Sequence, residues 1–222
     1  IISSWVVMIV LILVSIWLTR GMSIVPTSRK QIVVEKLVGM LYDLVEGTMG
    51  AHNIRYAPYI GTLLLSSVCG SLIGTTYVFR AVTADLSTTL AWALVTFVMI
   101  QGSGIKNNGI LGYLKGLTEP VVVMTPMNIF SEISTPVSMS FRHFGNIAGG
   151  MVLTTLLYSA LASLSAMVLQ IIPNAFISSI PIFQVGIPAF LSIYFDLFSG
   201  GVQALIFCML TMVYISNTGA SD

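Results

Sequence analysis

Charge is what this sequence has least of. Only 8% of its 222 residues are Asp, Glu, Lys or Arg, where a soluble domain carries about 25%. A water-facing surface cannot be covered with so few solvated groups. Nine basic and eight acidic residues leave a net charge of +1, and no basic patch is present to release counterions from phosphates, which excludes nucleic acid as a partner. Cysteine is nearly absent too. Cys69 and Cys208 both lie in apolar runs, where they read as packing residues rather than as a disulfide framework or metal site. His52 and His143 are too few for a zinc cluster, so neither a metal nor a cofactor is expected.

What the chain has in abundance is apolar residues, 56% of the total, with a mean hydropathy of +0.96. The reading is an all-α, multi-pass transmembrane protein forming a single membrane domain over residues 1–222, with about five or six membrane helices. Residues 1–19 make a first span. They carry no basic region at their start and are followed by Arg-Gly-Met-Ser rather than by a small-residue cleavage site, so they do not read as a cleavable signal. The next connector holds Arg20, Arg29, Lys30 and Lys36 against Glu35 alone, with Pro26 interrupting it, and the positive-inside rule makes it cytoplasmic. Residues 31–49 space Val34, Leu37, Leu41, Leu44 and Val45 along one face, with Glu35, Asp43 and Glu46 elsewhere, as an amphipathic interfacial helix does.

Residues 56–79 form a second span with Gly61, Gly70 and Gly74 along it, small residues that let helices approach closely. A short outer loop holding Arg80 and Asp85 leads to a third span over 86–105. A glycine-containing inner loop with Lys106 and Lys115 follows, and Pro126 is expected to end or kink the short apolar piece after it. Residues 128–170 then read as one helical stretch interrupted only by Pro136 and Gly149-Gly150. At 1.5 Å per residue this is roughly 64 Å long, about twice the hydrocarbon thickness, so it either tilts steeply or turns back as two spans. A proline-rich connector and a last helix over 189–216 complete the chain.

Inside these last two segments lie charges that apolar composition does not explain. An arginine costs at least ~2.5–3.5 kcal/mol at the centre of a bilayer and is usually kept for a partner or an ion path. Arg142 is such a residue, and on a helix Ser138, Arg142 and Asn146 share a face. Glu132, ten residues earlier, is too far for a salt bridge with it. In the last helix Ser192, Asp196, Ser199, Gln203 and Tyr214 recur close to one stripe, with Asp196 and Gln203 nearly superposed at regular α-helical pitch. Two helices therefore each carry a polar seam. A cation beside separated carboxylates is poor structural glue and a reasonable ion path: Glu132 and Asp196 would pass protons or cations, and Arg142 would block direct leakage between them. Asp85 would help draw cations into an entry cleft. His143 points about 100° away from Arg142 and faces other protein or the interface.

The string Pro-Val-Ser-Met-Ser-Phe-Arg-His-Phe-Gly-Asn-Ile-Ala-Gly-Gly, residues 136–150, resembles the signature of subunit a of the F-type rotary ATP synthase, bacterial type. So does Gly-Gly-Val-Gln-Ala-Leu-Ile-Phe at 200–207 in the last helix, and the order of spans agrees over essentially the whole chain. The resemblance implies that the last two long helices form a tilted membrane hairpin against a ring of c subunits. Further partners would be the b-type peripheral stalk subunits, the rest of the complex and membrane lipid, with a bacterial plasma membrane as location rather than an organellar inner or thylakoid membrane. Arg142 would face the ring's ion-binding carboxylate and separate two half-channels for H⁺ or Na⁺, supported by Asn146 and Gln203. Glu132 would lie near one half-channel and Asp196 in the entry path. Subunit a is not catalytic alone. The chain departs from the pattern at Met151, where many bacterial members carry a glutamate, and at His143, where leucine is usual. A secondary ion-coupled transporter and a non-conducting membrane scaffold subunit remain as other classes.

Overall fold

The computed structural model describes residues 2–24, 28–76, 79–119, 121–169 and 193–219. Every regular element among them is helical. We label these α1 (Ile2–Thr19), α2 (Arg29–Met49), α3 (Ala57–Leu72), α4 (Leu86–Thr118), α5 (Thr125–Leu169) and α6 (Gly200–Gly219). Short 3₁₀ turns flank α3, and a π-helical turn, Ile193–Ser199, leads into α6. Five helical segments are long and apolar enough to cross a membrane, consistent with a multi-pass transmembrane protein. The proline-rich connector, and with it Ser192, lies outside the described residues.

The core sits where α2, α3, α4, α5 and α6 meet. Val45 and Met49 of α2, Ile60 and Leu63 of α3, Ala93 of α4, Met139 of α5 and Phe207, Met212 and Ile215 of α6 are buried together. In lipid, apolar contact between helices gains little over contact with acyl chains, so close fit and hydrogen bonds must hold the bundle. Both are present. A Cβ at Gly104 of α4 would meet the Thr218 methyl of α6 at 2.6 Å. Tyr59 bonds Thr96 at 2.8 Å, and Thr89 bonds Ser140 at 3.1 Å. α1 is peripheral, with Val7 its one buried residue. Lys30 of α2 lies 4.3 Å from the Trp17 ring centroid and donates to the Trp17 carbonyl, tying the basic connector to the end of α1. Only the second half of α2 packs on the core, and Ile32, Val33 and Leu37 are left exposed.

Two expectations are corrected, and one open alternative is resolved. The third span does not stop near residue 105. Helical structure runs to Thr118 across a bend at Gly109, whose φ of 69° and ψ of 166° are non-helical. Pro126 neither ends nor kinks a helix, because it falls in the first turn of α5, where its missing N–H has no helical partner to lose. The long stretch does not turn back as two spans. α5 is one helix of 45 residues that carries Pro136 inside it, roughly 67 Å long at 1.5 Å per residue.

The bend at Gly109 requires a positive φ that L side chains rarely adopt. Gly109→Ala is therefore expected to cost about 1 kcal/mol or more, read as a lower midpoint for thermal inactivation of the membrane-embedded protein. Gly116→Ala, in the same segment with φ unexceptional and open space around its Cβ position, should leave that midpoint unchanged or raise it.

Candidate functional site

The rotation of α5 decides which side chains reach protein and which do not. Met139, Ser140, His143, Ile147 and Gly150 are buried, while Ser138, Phe141, Arg142 and Gly145 are exposed. These two sets occupy opposite sides of the wheel at 100° per residue. Arg142 therefore stands on the open face, beside Phe141, which is 53% exposed. No hydrogen bond or ion pair joins it to another described residue. Added Cβ atoms at Gly145 and Gly149 would meet nothing within 4 Å. The face continues as exposed Ile133, Val137, Val152 and Leu156, and on the α6 side as Leu197, Phe198, Val202 and Leu205.

At the rim of that face the two polar seams meet. Ser199 Oγ donates to Asn146 Oδ1 at 2.9 Å, and Asn146 Nδ2 donates to Gln203 Oε1 at 3.4 Å. Gln203 is only 5% exposed. The donor to Gln203 fixes Asn146 with its oxygen toward Ser199, an orientation that the hydrogen-bond network assigns. Gly200, one turn before Gln203, lies against α3: a Cβ there would come within 3.2 Å of Ser71 Cβ. Asn146→Leu would remove both bonds and leave a buried acceptor unpaired, a cost of about 1–3 kcal/mol. The expected result is a lower thermal midpoint of the purified complex, whereas Asn146→Ser, which retains a donor, should lose less.

His143 faces the other way and is fully buried. Its Nε2 shares a 3.0 Å hydrogen bond with Ser67 Oγ of α3, and its ring packs edge-on to Phe207 with centroids 5.4 Å apart. Nδ1 has no partner in hydrogen-bond geometry, the backbone of Gln203 being the polar group beside it. A histidine after the arginine is thus accommodated by a serine on a neighbouring helix.

Glu132 lies apart from this cluster. Its Oε2 accepts from Tyr113 Oη at 2.6 Å and from Gln101 Nε2 at 3.0 Å. It lines a cavity of about 440 Å³ with Asn108, Glu119, Asn128, Ser131 and Asn217, at the end of the bundle that carries Lys106 and Lys115. At the opposite end, Asp85 caps α4 by accepting from the Ser87 N–H at 3.0 Å. It lines a second cavity of about 440 Å³ with Arg80, Ser3, Ser4 and Phe144.

Of the last-helix residues, Ser199 and Gln203 join the cluster, and Tyr214 packs against the apolar core. For Asp196 only the backbone is described, in the π turn. That turn corrects the expected superposition of Asp196 on Gln203, because its longer hydrogen-bond register changes the phase between them. Met151 packs against Ala81, Ala84 and Ile147, so this position is filled by apolar contact. Sequence reading missed Ser67, Gln101 and Tyr113. A serine and a glutamine inside spans were visible as signals, but their partners, more than 30 residues away, were not.

The sequence matches the ATP synthase A chain family over residues 1–216. This chain belongs to that family. It is 36% identical over 233 residues to ATP synthase subunit a, sodium ion specific, of Propionigenium modestum, covering 98% of this chain and 73% of that protein. It is also 36% identical over 218 residues to ATP synthase subunit a 1 of Crocosphaera subtropica (98% of this chain, 85% of that protein). To ATP synthase subunit a of Moorella thermoacetica it is 30% identical over 217 residues (98% and 88%). As a family member the chain is an ion-translocating, non-catalytic stator subunit of the ATP synthase, and a multi-pass membrane protein.

Proposed function

We propose that the open face of α5 and α6 is the track along which a ring of c subunits turns, in a bacterial plasma membrane, with Arg142 facing the ring's ion-binding carboxylate. The observation that carries this reading is the placement of Arg142: a cation on an exposed apolar face, without a partner among the described residues, beside the Ser199–Asn146–Gln203 link. A charge so placed is costly in lipid unless a partner brings an anion to it. Guanidinium stays protonated throughout, so it forces an arriving carboxylate to give up its cation and prevents ions from passing straight across.

Two access paths then serve the two sides of the arginine. One opens at the cavity beside Glu132, at the end of the bundle read as cytoplasmic. The other approaches from the Asp85 end toward Asp196. The transmembrane potential, about 2.3 kcal/mol per charge per 100 mV, drives ions through these paths in sequence and turns the ring, while a soluble head makes ATP. The peripheral stalk holds this subunit still. The coupling ion is H⁺ or Na⁺, the second because a relative covering nearly the whole chain is named sodium ion specific.

The experiment is Arg142→Ala in the assembled complex. Ion-driven ATP synthesis should disappear with the complex still assembled. Substrate uptake by the isolated chain would instead favour a secondary transporter, and unchanged synthesis would favour a scaffold.

A further inference from the structure

Gln101 and Tyr113 are twelve residues apart on α4. On a straight α-helix that spacing would separate their Cα atoms by about 18 Å along the axis and turn them about 120° apart. Yet both donate to the same oxygen of Glu132, at 3.0 and 2.6 Å. The bend at Gly109 makes this convergence possible. It folds the last part of α4 back, so that the Tyr113 ring comes within 3.3 Å of a Cβ placed on Gly104. Gln101 is committed to the arrangement at a cost: its Oε1 is buried and has no hydrogen-bond partner. An amide serving only to tie helices together would gain by satisfying both ends.

The bonding is also one-sided. Both donors occupy Oε2, and Oε1 carries no hydrogen bond among the described residues. The cavity that Glu132 lines is also lined by Asn108, Glu119, Asn128 and Ser131, with no Lys or Arg among its described lining residues. Its titratable lining groups are Tyr113 and Glu119 from the α4 side and Glu132 of α5, while α6 supplies only Asn217 and Thr218.

We propose that Tyr113 and Gln101 are positioning residues that hold Glu132 by one oxygen and leave the other free to meet the coupling cation in this cavity. They thereby set the apparent affinity with which the cation is exchanged on that side. Gly109 is the backbone device that brings the two donors together. This rests on the reading of Glu132 as part of an access path.

The test uses the whole ATP synthase in proteoliposomes, comparing Tyr113→Phe, Gln101→Leu, Glu132→Gln and the double variant Tyr113→Phe/Glu132→Gln. The readouts are ATP-driven ion flux against the concentration of H⁺ or Na⁺ on the side where the head sits, ATP hydrolysis by the detergent-uncoupled complex, and subunit composition. Tyr113→Phe removes one charge-assisted hydrogen bond and should shift the half-saturating cation concentration about tenfold, with maximal hydrolysis and assembly unchanged. The double variant should be no worse than Glu132→Gln alone. An effect of Tyr113→Phe that adds to that of Glu132→Gln, or an unshifted half-saturating concentration, overturns the inference. So does loss of assembly in both Tyr113→Phe and Gln101→Leu, which would mark a purely structural role. If only one of them fails to assemble, the other decides in the same cycle. Wild-type flux from Glu132→Gln sinks instead the reading on which the inference rests.

Discussion

Arg142→Ala should reduce ATP synthesis driven by an ion gradient to background while leaving the amount of assembled complex unchanged. The size of the effect follows from electrostatics. A guanidinium and a carboxylate about 4 Å apart attract by about 4 kcal/mol at an effective dielectric constant near 20, roughly a thousandfold in occupancy of the ion-free carboxylate. Without that attraction the ring carboxylate keeps its cation past the stator and carries it across without doing work. Assembly should survive because Arg142 is exposed and bonds no described residue, while the packing of α5 rests on Met139, Ser140, His143 and Ile147 on its other side. Arg142→Lys tests the geometry, since a lysine keeps the charge but loses the planar fork that binds a carboxylate through two bonds. Lysine should restore a small part of the activity and alanine none. Synthesis in inverted vesicles, with subunit content measured on the same membranes, decides it. Synthesis above about a tenth of wild type in the alanine variant would remove Arg142 from the mechanism.

Asp196→Asn is expected to have the next largest effect, a loss of ATP-driven proton pumping of about 100-fold, the lower end of what a positioned proton-transfer group contributes. The motive is Met151. A thioether cannot relay a proton, and its contact with Ala81, Ala84 and Ile147 makes it part of an apolar cluster at the Asp85 end. Apart from Glu132, which lies with Tyr113 and Gln101, and Asp222 at the end of the sequence, Asp196 is the acid that α5 and the segment leading into and through α6 have to offer. Its backbone lies in a π turn, a local departure from α-helical register often found at functional sites. Pumping followed with a pH-sensitive dye, alongside passive ion flux, gives the answer. Wild-type rates in Asp196→Asn would sink the assignment, and restoration by Met151→Glu in that background would strengthen it.

Much of the protein was legible because the solvent imposes simple rules on it. That the chain crosses the membrane several times as helices could be read from hydropathy alone, since a helix crossing hydrocarbon needs about 20 apolar residues. Arg142 stood out for the same reason, as a charge where charges are expensive. The pairing of Asn146 with Gln203 was within reach, because residues four apart on one helix and a recurring stripe on the next define two faces that can meet. What could not be read was any feature that depends on departure from ideal helix geometry. The glycine-containing stretch after residue 105 reads as a loop, and only its backbone reveals a bent helix that returns Tyr113 to Glu132. The stripe on the last helix assumed one pitch throughout, and the π turn changes it.

By itself, then, the sequence determined the medium, the helical class, the family and the charge on which the proposed function turns, because each is a matter of composition or of motif spacing along one chain. Only the tertiary structure decided which way each seam faces and who answers it: Arg142 outward, His143 inward to Ser67, Glu132 to two donors brought together by Gly109. The reason is geometric. Rotation of a helix within a bundle is set by the close packing of residues distant in sequence, and periodicity along one helix gives relative positions on its wheel but no absolute direction.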